Sequence, residues 1–177
     1  MKRFFVTWKF WILTSVMLFS CTLTEMKPLG YYKNPTPTLM DCGQTINSDM
    51  ETQVVTLINQ ARSSQSLSPL VLNDLLAGAA RRHSTDMACN NFLDTTGSDG
   101  AKWHELMVEG GYLVKYGGIA AAGGYENDPA AVVQVWSDQE DSVVHDNNPT
   151  EIGVGVVTKS GTKYGVYWTV LYALPNR

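Results

Sequence analysis

Three histidines, three cysteines and one dense acidic segment are the residues of this chain best suited to binding a metal or transferring a proton. The acidic segment reads DQEDSVVHD and occupies residues 138–146, where Glu140 and Asp141 precede His145. A zinc site needs three or four N, O or S ligands that converge at about 2 Å. One histidine with scattered acids does not establish that geometry, so the segment is more typical of a solvated loop and predicts no metal site.

The other two histidines are also better explained by structure than by catalysis. His83 shares a helical stripe with Leu76 and Met87, which predicts a histidine hydrogen-bonded inside the core. His104 follows Trp103 on a short amphipathic segment, where a surface position is favoured over one that reaches a cleft.

Neither nucleophilic catalysis nor phosphate binding is indicated by a local motif. A catalytic serine needs a positioned base, and none is apparent near Ser84, Ser98 or Ser142. The glycine-rich run 117–124 lacks the GK[ST] ending of a phosphate loop, and its glycines are expected to approach a neighbouring backbone or to form a flexible cleft wall. The sequence therefore predicts no catalytic residue and no cofactor.

The first twenty residues predict a signal peptide. Lys2, Arg3 and Lys9 precede an uncharged run, Phe10–Phe19, that is too short to cross a bilayer as a helix. The run leads into Leu-Phe-Ser-Cys ending at Cys21, which resembles the lipobox of bacterial lipoproteins. We therefore expect cleavage before Cys21 and its lipidation, which would anchor the protein to a membrane outside the cytoplasm. Ordinary secretion with a spare thiol at Cys21 is the alternative.

Loss of residues 1–20 would leave 10 basic against 17 acidic residues, a net charge of −7. A nucleic-acid partner would require a basic face, and no Lys or Arg cluster is present, so we predict no nucleic-acid binding. Direct adsorption to anionic lipid is disfavoured for the same reason.

With Cys21 acylated, Cys42 and Cys89 remain as a pair in an oxidising compartment, which favours a disulfide. Such a bond would contribute roughly 4 kcal/mol by closing a long loop. The alternative is a buried free thiol at Cys89 and an idle Cys42.

The 177 residues suit one domain with a sizeable core, because 44% are hydrophobic and no repeat is present. Residues 21–49 are rich in Pro, Thr, Asn and Tyr and predict a tether. Apolar periodicity and capping residues then predict four helices, which begin after Ser48 or Asp49, after Asn73, near Trp103 and at Asp128-Pro129.

Strands are predicted near 112–114 and over 152–158 and 163–173, the last two joined by a hairpin at Ser160-Gly161. The final strand is largely apolar on both faces, so helices must cover both sides of the sheet. This pattern predicts an α+β fold, a three-layer α-β-α sandwich with a central antiparallel sheet.

Three segments resemble the bacterial branch of the CAP superfamily, the SCP-like domains related to cysteine-rich secretory, antigen 5 and pathogenesis-related proteins. They are the two helical patterns and polar turn of 51–100, the stretch DPAAVVQVW at 128–136, and TEIGVGVV at 150–157. The resemblance implies the same sandwich, with the CAP domain spanning residues 50–177.

In much of this family two histidines and two acids line a cleft, but this chain departs from that pattern. The resemblance places Thr95 and Ser142 at the histidine positions and Gly117 at a glutamate position. His145 is then a displaced replacement for a lost histidine, with Glu140 among the neighbouring acids. With His104, which could reach the same cleft, the predicted binding cleft comprises Thr95, Gly117, Glu140, Ser142, His145 and His104.

We therefore expect an exported, lipid-anchored CAP protein with a degenerate cleft, a pseudoenzyme that binds a lipid, an envelope polymer or a protein. The main alternative is a metal-dependent hydrolase that uses His104, His145 and one of Glu105, Glu140 or Asp141. A third is an adhesive surface module whose tether matters more than its cleft.

Overall fold

The computed structural model describes residues 39–126 and 128–177. Nine elements follow in chain order: β1 Thr45–Ile46, α1 Ser48–Ser64, β2 Val71–Leu72, α2 Asp74–Asn90, α3 Trp103–Glu109, β3 Val114–Gly123, α4 Pro129–Ser137, β4 Glu151–Thr158 and β5 Val166–Pro175. The predicted signal peptide, the lipidation site at Cys21 and most of the tether lie outside the described residues. None of the helices within the described ranges combines the length and hydrophobicity needed to cross a membrane.

Short polar side chains set the starts of three helices. Asn73 and Asp128 cap α2 and α4 as predicted, each through a side-chain oxygen that accepts from the first-turn backbone. The first helix is capped by Asn47, whose Oδ1 accepts from Met50 N at 3.1 Å. The prediction of a cap at Ser48 or Asp49 was one or two residues late, since all three side chains can cap a helix.

The sheet has the order β1-β4-β5-β3, and these neighbours pair antiparallel. The two-residue strand β2 is the exception, since it pairs parallel to β4. Strand β5 starts at Val166 rather than near residue 163, because the turn is longer than expected: Thr162 Oγ1 donates to Lys159 O and accepts from Gly165 N.

The glycine-rich run belongs to strand β3, which extends well beyond the short strand predicted near 112–114. The expected approach of its glycines to a neighbouring backbone is confirmed at Gly117, where a Cβ would meet the backbone of Tyr172 and Ala173. Gly118 lies opposite Tyr172 in the β3–β5 register, and a Cβ on Gly118 would collide with the Tyr172 ring. Gly123 likewise leaves room for the ring of Tyr164. Glycine lowers strand propensity, but here its lack of a side chain leaves space for the aromatic rings of Tyr172 and Tyr164.

Helices cover both faces of the sheet, as predicted. Helices α1 and α4 bury Val54, Ile58 and Trp136 against the face that carries Trp168 and Val170. Helices α2 and α3 lie on the other face, where Leu76 and Met107 pack with Leu171.

Helix α2 approaches β4 closely enough for backbone to meet backbone. A Cβ on Gly153 would overlap the backbone of Leu76 and Ala77, and one on Gly155 would overlap that of Ala80 and Arg81. The small face of α2 is therefore a buried contact surface, in which Ser84 Oγ donates to Gly155 O at 2.9 Å.

The domain begins earlier than predicted. Thr45 and Ile46 pair with Thr158 and Val157 of β4, so the end of the segment expected to be a tether belongs to the sheet. A disulfide joins Cys42 to Cys89, near the end of α2. It holds the start of the described chain against the second helical layer.

We predict that Gly155→Ala lowers the free energy of unfolding by about 1–3 kcal/mol, because the added methyl group has to displace helix backbone. Gly78→Ala is the matched control, since Gly78 is an exposed residue of α2 with open space around its Cα. It should raise the free energy of unfolding by about 0.5–1 kcal/mol. Urea denaturation measures both, and equal effects of the two substitutions would contradict the close contact.

Candidate functional site

A polar cleft of about 340 Å³ lies beside the edge strand β3, on the α1/α4 face of the sheet. We call it the tyrosine–carboxylate cleft. Two tyrosines, three acids, a histidine and an asparagine line it: Tyr116, Tyr172, Glu140, Asp141, Asp146, His145 and Asn147. The acids, the histidine and the asparagine come from the segment between α4 and β4.

The register between β3 and β5 positions the two tyrosines. Tyr172 lies opposite Gly118, and Tyr116 is two residues before that glycine, so both side chains project from the same face of the sheet. Tyr172 is only 7% exposed, and its hydroxyl makes no hydrogen bond with another described residue. Burial, with further contributions from Asp146, Tyr116 and Asp141, raises the pKa of Tyr172 to about 12, so its phenol stays protonated at neutral pH.

Asp146 is held in place at the rim of the cleft. Its Oδ2 accepts from the Tyr116 hydroxyl at 2.7 Å, and its Oδ1 accepts from the backbone N and the Nδ2 of Asn148, both at 2.9 Å. The hydrogen bond to Asp146 raises the pKa of Tyr116, because the carboxylate stabilises the protonated phenol.

Arg62 of α1 fixes the cleft segment from behind. Its side chain is almost completely buried, its Nη1 donates to the carbonyls of Val143 and Asp146, each at 2.6 Å, and its Nε donates to Ser68 O at 3.0 Å. Burial lowers the pKa of Arg62, with partial opposition from the charge of Asp146. A charged donor thus satisfies carbonyls of an irregular segment that would otherwise be buried without partners.

His145 lines the cleft, but both of its ring nitrogens are engaged. Nδ1 is 2.6 Å from Gln65 Oε1, and Nε2 is 2.7 Å from Ser137 O. The ring thereby connects the C-terminal ends of α1 and α4. In this arrangement neither nitrogen is free to bind a metal or to accept a proton from a ligand.

Of the six residues predicted to form a cleft, only Glu140 and His145 line the tyrosine–carboxylate cleft. Ser142 is buried in the same segment, where its Oγ accepts from Val144 N at 3.3 Å. Thr95 is exposed beyond the end of α2. Gly117 pairs with Ala173, which packs on the α2/α3 face.

The sixth predicted residue, His104, is exposed on α3, where its ring makes an edge contact with Trp103. Helix α3 and His145 belong to opposite layers of the sandwich, so the structure does not bring His104 and His145 together. Within residues 39–126 and 128–177, no three His, Cys, Asp or Glu side chains are grouped so that they could hold a metal ion.

His83 is a core residue, as predicted. It is buried, its Nε2 lies 2.8 Å from Asp94 O, and desolvation lowers the pKa of its ring despite that hydrogen bond. A neutral imidazole that links α2 to the following loop accounts for this position.

Sequence reasoning missed the tyrosines, Asp146 and Asn147. The available signal was Tyr116 immediately before two glycines, since a strand with an aromatic residue next to glycines often accommodates a ring from its neighbour. Which ring fills that space depends on the β3–β5 register, which local patterns do not specify.

The model of the cysteine-rich secretory protein family, the CAP family, matches residues 55–172. This chain belongs to that family. A curated relative, the uncharacterized protein YkwD of Bacillus subtilis strain 168, is 33% identical over 124 residues, which are 69% of this chain and 46% of YkwD. This CAP chain therefore spans about half the length of that relative.

Two solved structures share the fold. An outer surface protein of Borrelia burgdorferi has a TM-score of 0.66 at 15% identity, with 75% of this chain and 98% of that chain covered. An extracellular protein containing an SCP domain from Bacillus anthracis str. Ames has a TM-score of 0.61 at 22% identity, with 72% and 41% covered. Both confirm the predicted sandwich of an antiparallel sheet between helices.

Arg62→Met should lower the free energy of unfolding by about 3 kcal/mol, because it keeps the aliphatic stem but leaves the carbonyls of Val143 and Asp146 without their donor. Arg177→Met is the control: Arg177 pairs with Glu151, but its side chain is 82% exposed. That change should cost less than about 1 kcal/mol. Urea denaturation of both variants measures these changes. If Arg62→Met lowers the free energy of unfolding by no more than Arg177→Met does, the cleft segment does not depend on Arg62.

Proposed function

We propose that this CAP protein is exported, is anchored to a membrane through lipidated Cys21, and acts by binding a ligand rather than by catalysis. The hydrogen bonding of His145 is the observation that supports binding without catalysis. It is the histidine of the tyrosine–carboxylate cleft, and both of its nitrogens are bound to neighbouring oxygens. General acid–base catalysis needs a side chain that can exchange a proton with the substrate.

Export is supported by the signal-peptide pattern of residues 1–20 and by the names of the two structural neighbours. One is called an outer surface protein and the other an extracellular protein. The disulfide between Cys42 and Cys89 is consistent with an oxidising compartment outside the cytoplasm.

The candidate ligands remain a lipid, an envelope polymer or a protein. A hydrolase that uses His104 with His145 has no support, because the two rings occupy opposite layers. The acidic balance of the chain argues against nucleic acid as a partner.

Lipidation predicts that the full-length chain, expressed in a bacterial host, incorporates labelled fatty acid and fractionates with membranes. Cys21→Ala should abolish the label and release the protein into the soluble extracytoplasmic fraction. Cys42→Ala/Cys89→Ala is the control, because it removes two cysteines without touching the lipobox and should keep the label. A labelled Cys21→Ala protein, or an unlabelled parent, would refute the anchor.

Binding without catalysis predicts that the exported chain retains a component in pulldowns from fluorescent lipid, peptidoglycan or envelope-protein preparations and leaves it chemically unchanged. Mass spectrometry of the retained material before and after incubation tests this. Cleavage by the parent protein that is lost in His145→Gln, with the fold intact by circular dichroism, would overturn the proposal.

A further inference from the structure

The carboxylates of the tyrosine–carboxylate cleft are not balanced by neighbouring cations. Glu140 and Asp141 are exposed and make no hydrogen bond or ion pair with any other described residue. Arg62, the basic residue behind the cleft, directs its donors at backbone carbonyls and partly offsets Asp146 alone. Glu140 and Asp141 therefore face the cleft without an ion-pair partner among the described residues.

The floor of the cleft has an independent feature that points to a ligand. Tyr172 is more than nine-tenths buried, yet its hydroxyl lines the cleft and has no partner among the described residues. The hydroxyl oxygen is not among the fully buried unpartnered polar atoms of the described residues, so it is open to the cleft, where water or a ligand can hydrogen-bond with it. A neutral phenol can accept a hydrogen bond as well as donate one.

We propose that this cleft binds an organic ammonium group, the cationic end of a small amine. The ammonium has three donors and no acceptor, which suits the free oxygens of Glu140 and Asp141 and the acceptor lone pairs of Tyr172. The ring of Tyr116 adds an aromatic surface at the rim, a common companion of bound ammonium groups. A volume of about 340 Å³ is in the range of small-molecule sites.

A metal ion fits the same charge less well. The carboxylates are not grouped with a third ligand in the described residues, and a divalent ion would need several oxygens converging at one point. An ammonium group tolerates separate acceptors, because its donors point in different directions.

Isothermal titration calorimetry with cadaverine tests the assignment. The protein is the exported chain carrying Cys21→Ala, which keeps it in solution. We expect saturable binding that weakens as salt is raised, and no binding of 1,5-pentanediol, which has the same chain length without the charge. Nα-acetyl-lysine amide, which keeps its side-chain ammonium, and glycerophosphoethanolamine serve as separate arms. Whichever binds more tightly identifies a protein side chain or a lipid headgroup as the source of the ammonium.

Glu140→Gln/Asp141→Asn should weaken cadaverine binding by at least about ten-fold, because it removes both free charges while keeping the shape of the cleft. Tyr172→Phe should weaken it by roughly two- to ten-fold through loss of one hydrogen bond. Asp138→Asn is the matched control: Asp138 belongs to the same acidic segment but bonds Gln134 and does not line the cleft, so its effect should stay within about two-fold.

Equal binding of pentanediol, no binding of cadaverine at millimolar concentration, or the same loss in Asp138→Asn would overturn the ammonium assignment. The assignment rests on the proposed binding role, but the two fail differently. Without cadaverine binding, a chain that still retains an envelope component loses only the ammonium assignment, whereas cleavage that depends on His145 removes the binding role itself.

Discussion

The contact between α2 and β4 is the constraint on which the rest of the structure depends. Helix backbone rests directly on strand backbone at Gly153 and Gly155, which leaves no space for a side chain between them. Ser84 adds a hydrogen-bonded connection to both Gly155 and Thr169. This approach sets the height of one helical layer above the sheet and therefore the positions of the loops at both ends of α2. A methyl group at either glycine would push the helix backbone away from the strand, and the dispersion attraction between these close-packed atoms would fall.

Contacts of two arginines, the half-buried Arg81 and the buried Arg62, then connect the layers. Arg81 of α2 forms a bidentate ion pair with Glu51 of α1, and Glu51 also accepts from Val156 N at the edge of β4, so one carboxylate links both helical layers to the sheet. Hydrogen bonding to Glu51 raises the pKa of Arg81. Arg62 has the corresponding role for the irregular segment after α4. A long connection without regular structure keeps a defined shape because a single guanidinium satisfies its carbonyls.

The tyrosine–carboxylate cleft shares only Glu140 and His145 with the set of residues predicted to form a cleft. Thr95, Gly117 and Ser142 replace residues that the family resemblance implies for a cleft, and they lie in three different environments. The acids and tyrosines that do meet come from β3, β5 and the segment between α4 and β4. Their meeting requires Gly118, since any side chain there would occupy the place of the Tyr172 ring.

The sequence alone determined the features that depend on neighbouring residues, such as helix starts and the apolar pattern of a strand. Asn73 and Asp128 mark helix starts, α3 begins at Trp103 as predicted, and the two-sided hydrophobicity of β5 requires helices on both faces of the sheet. The tertiary structure alone decided the strand status of the glycine run, the pairing of Thr45–Ile46 with β4 and the composition of the cleft. Each of these depends on which residue of a distant strand lies opposite, and that register is set by packing of the whole sheet between its helices rather than by the preferences of neighbouring residues.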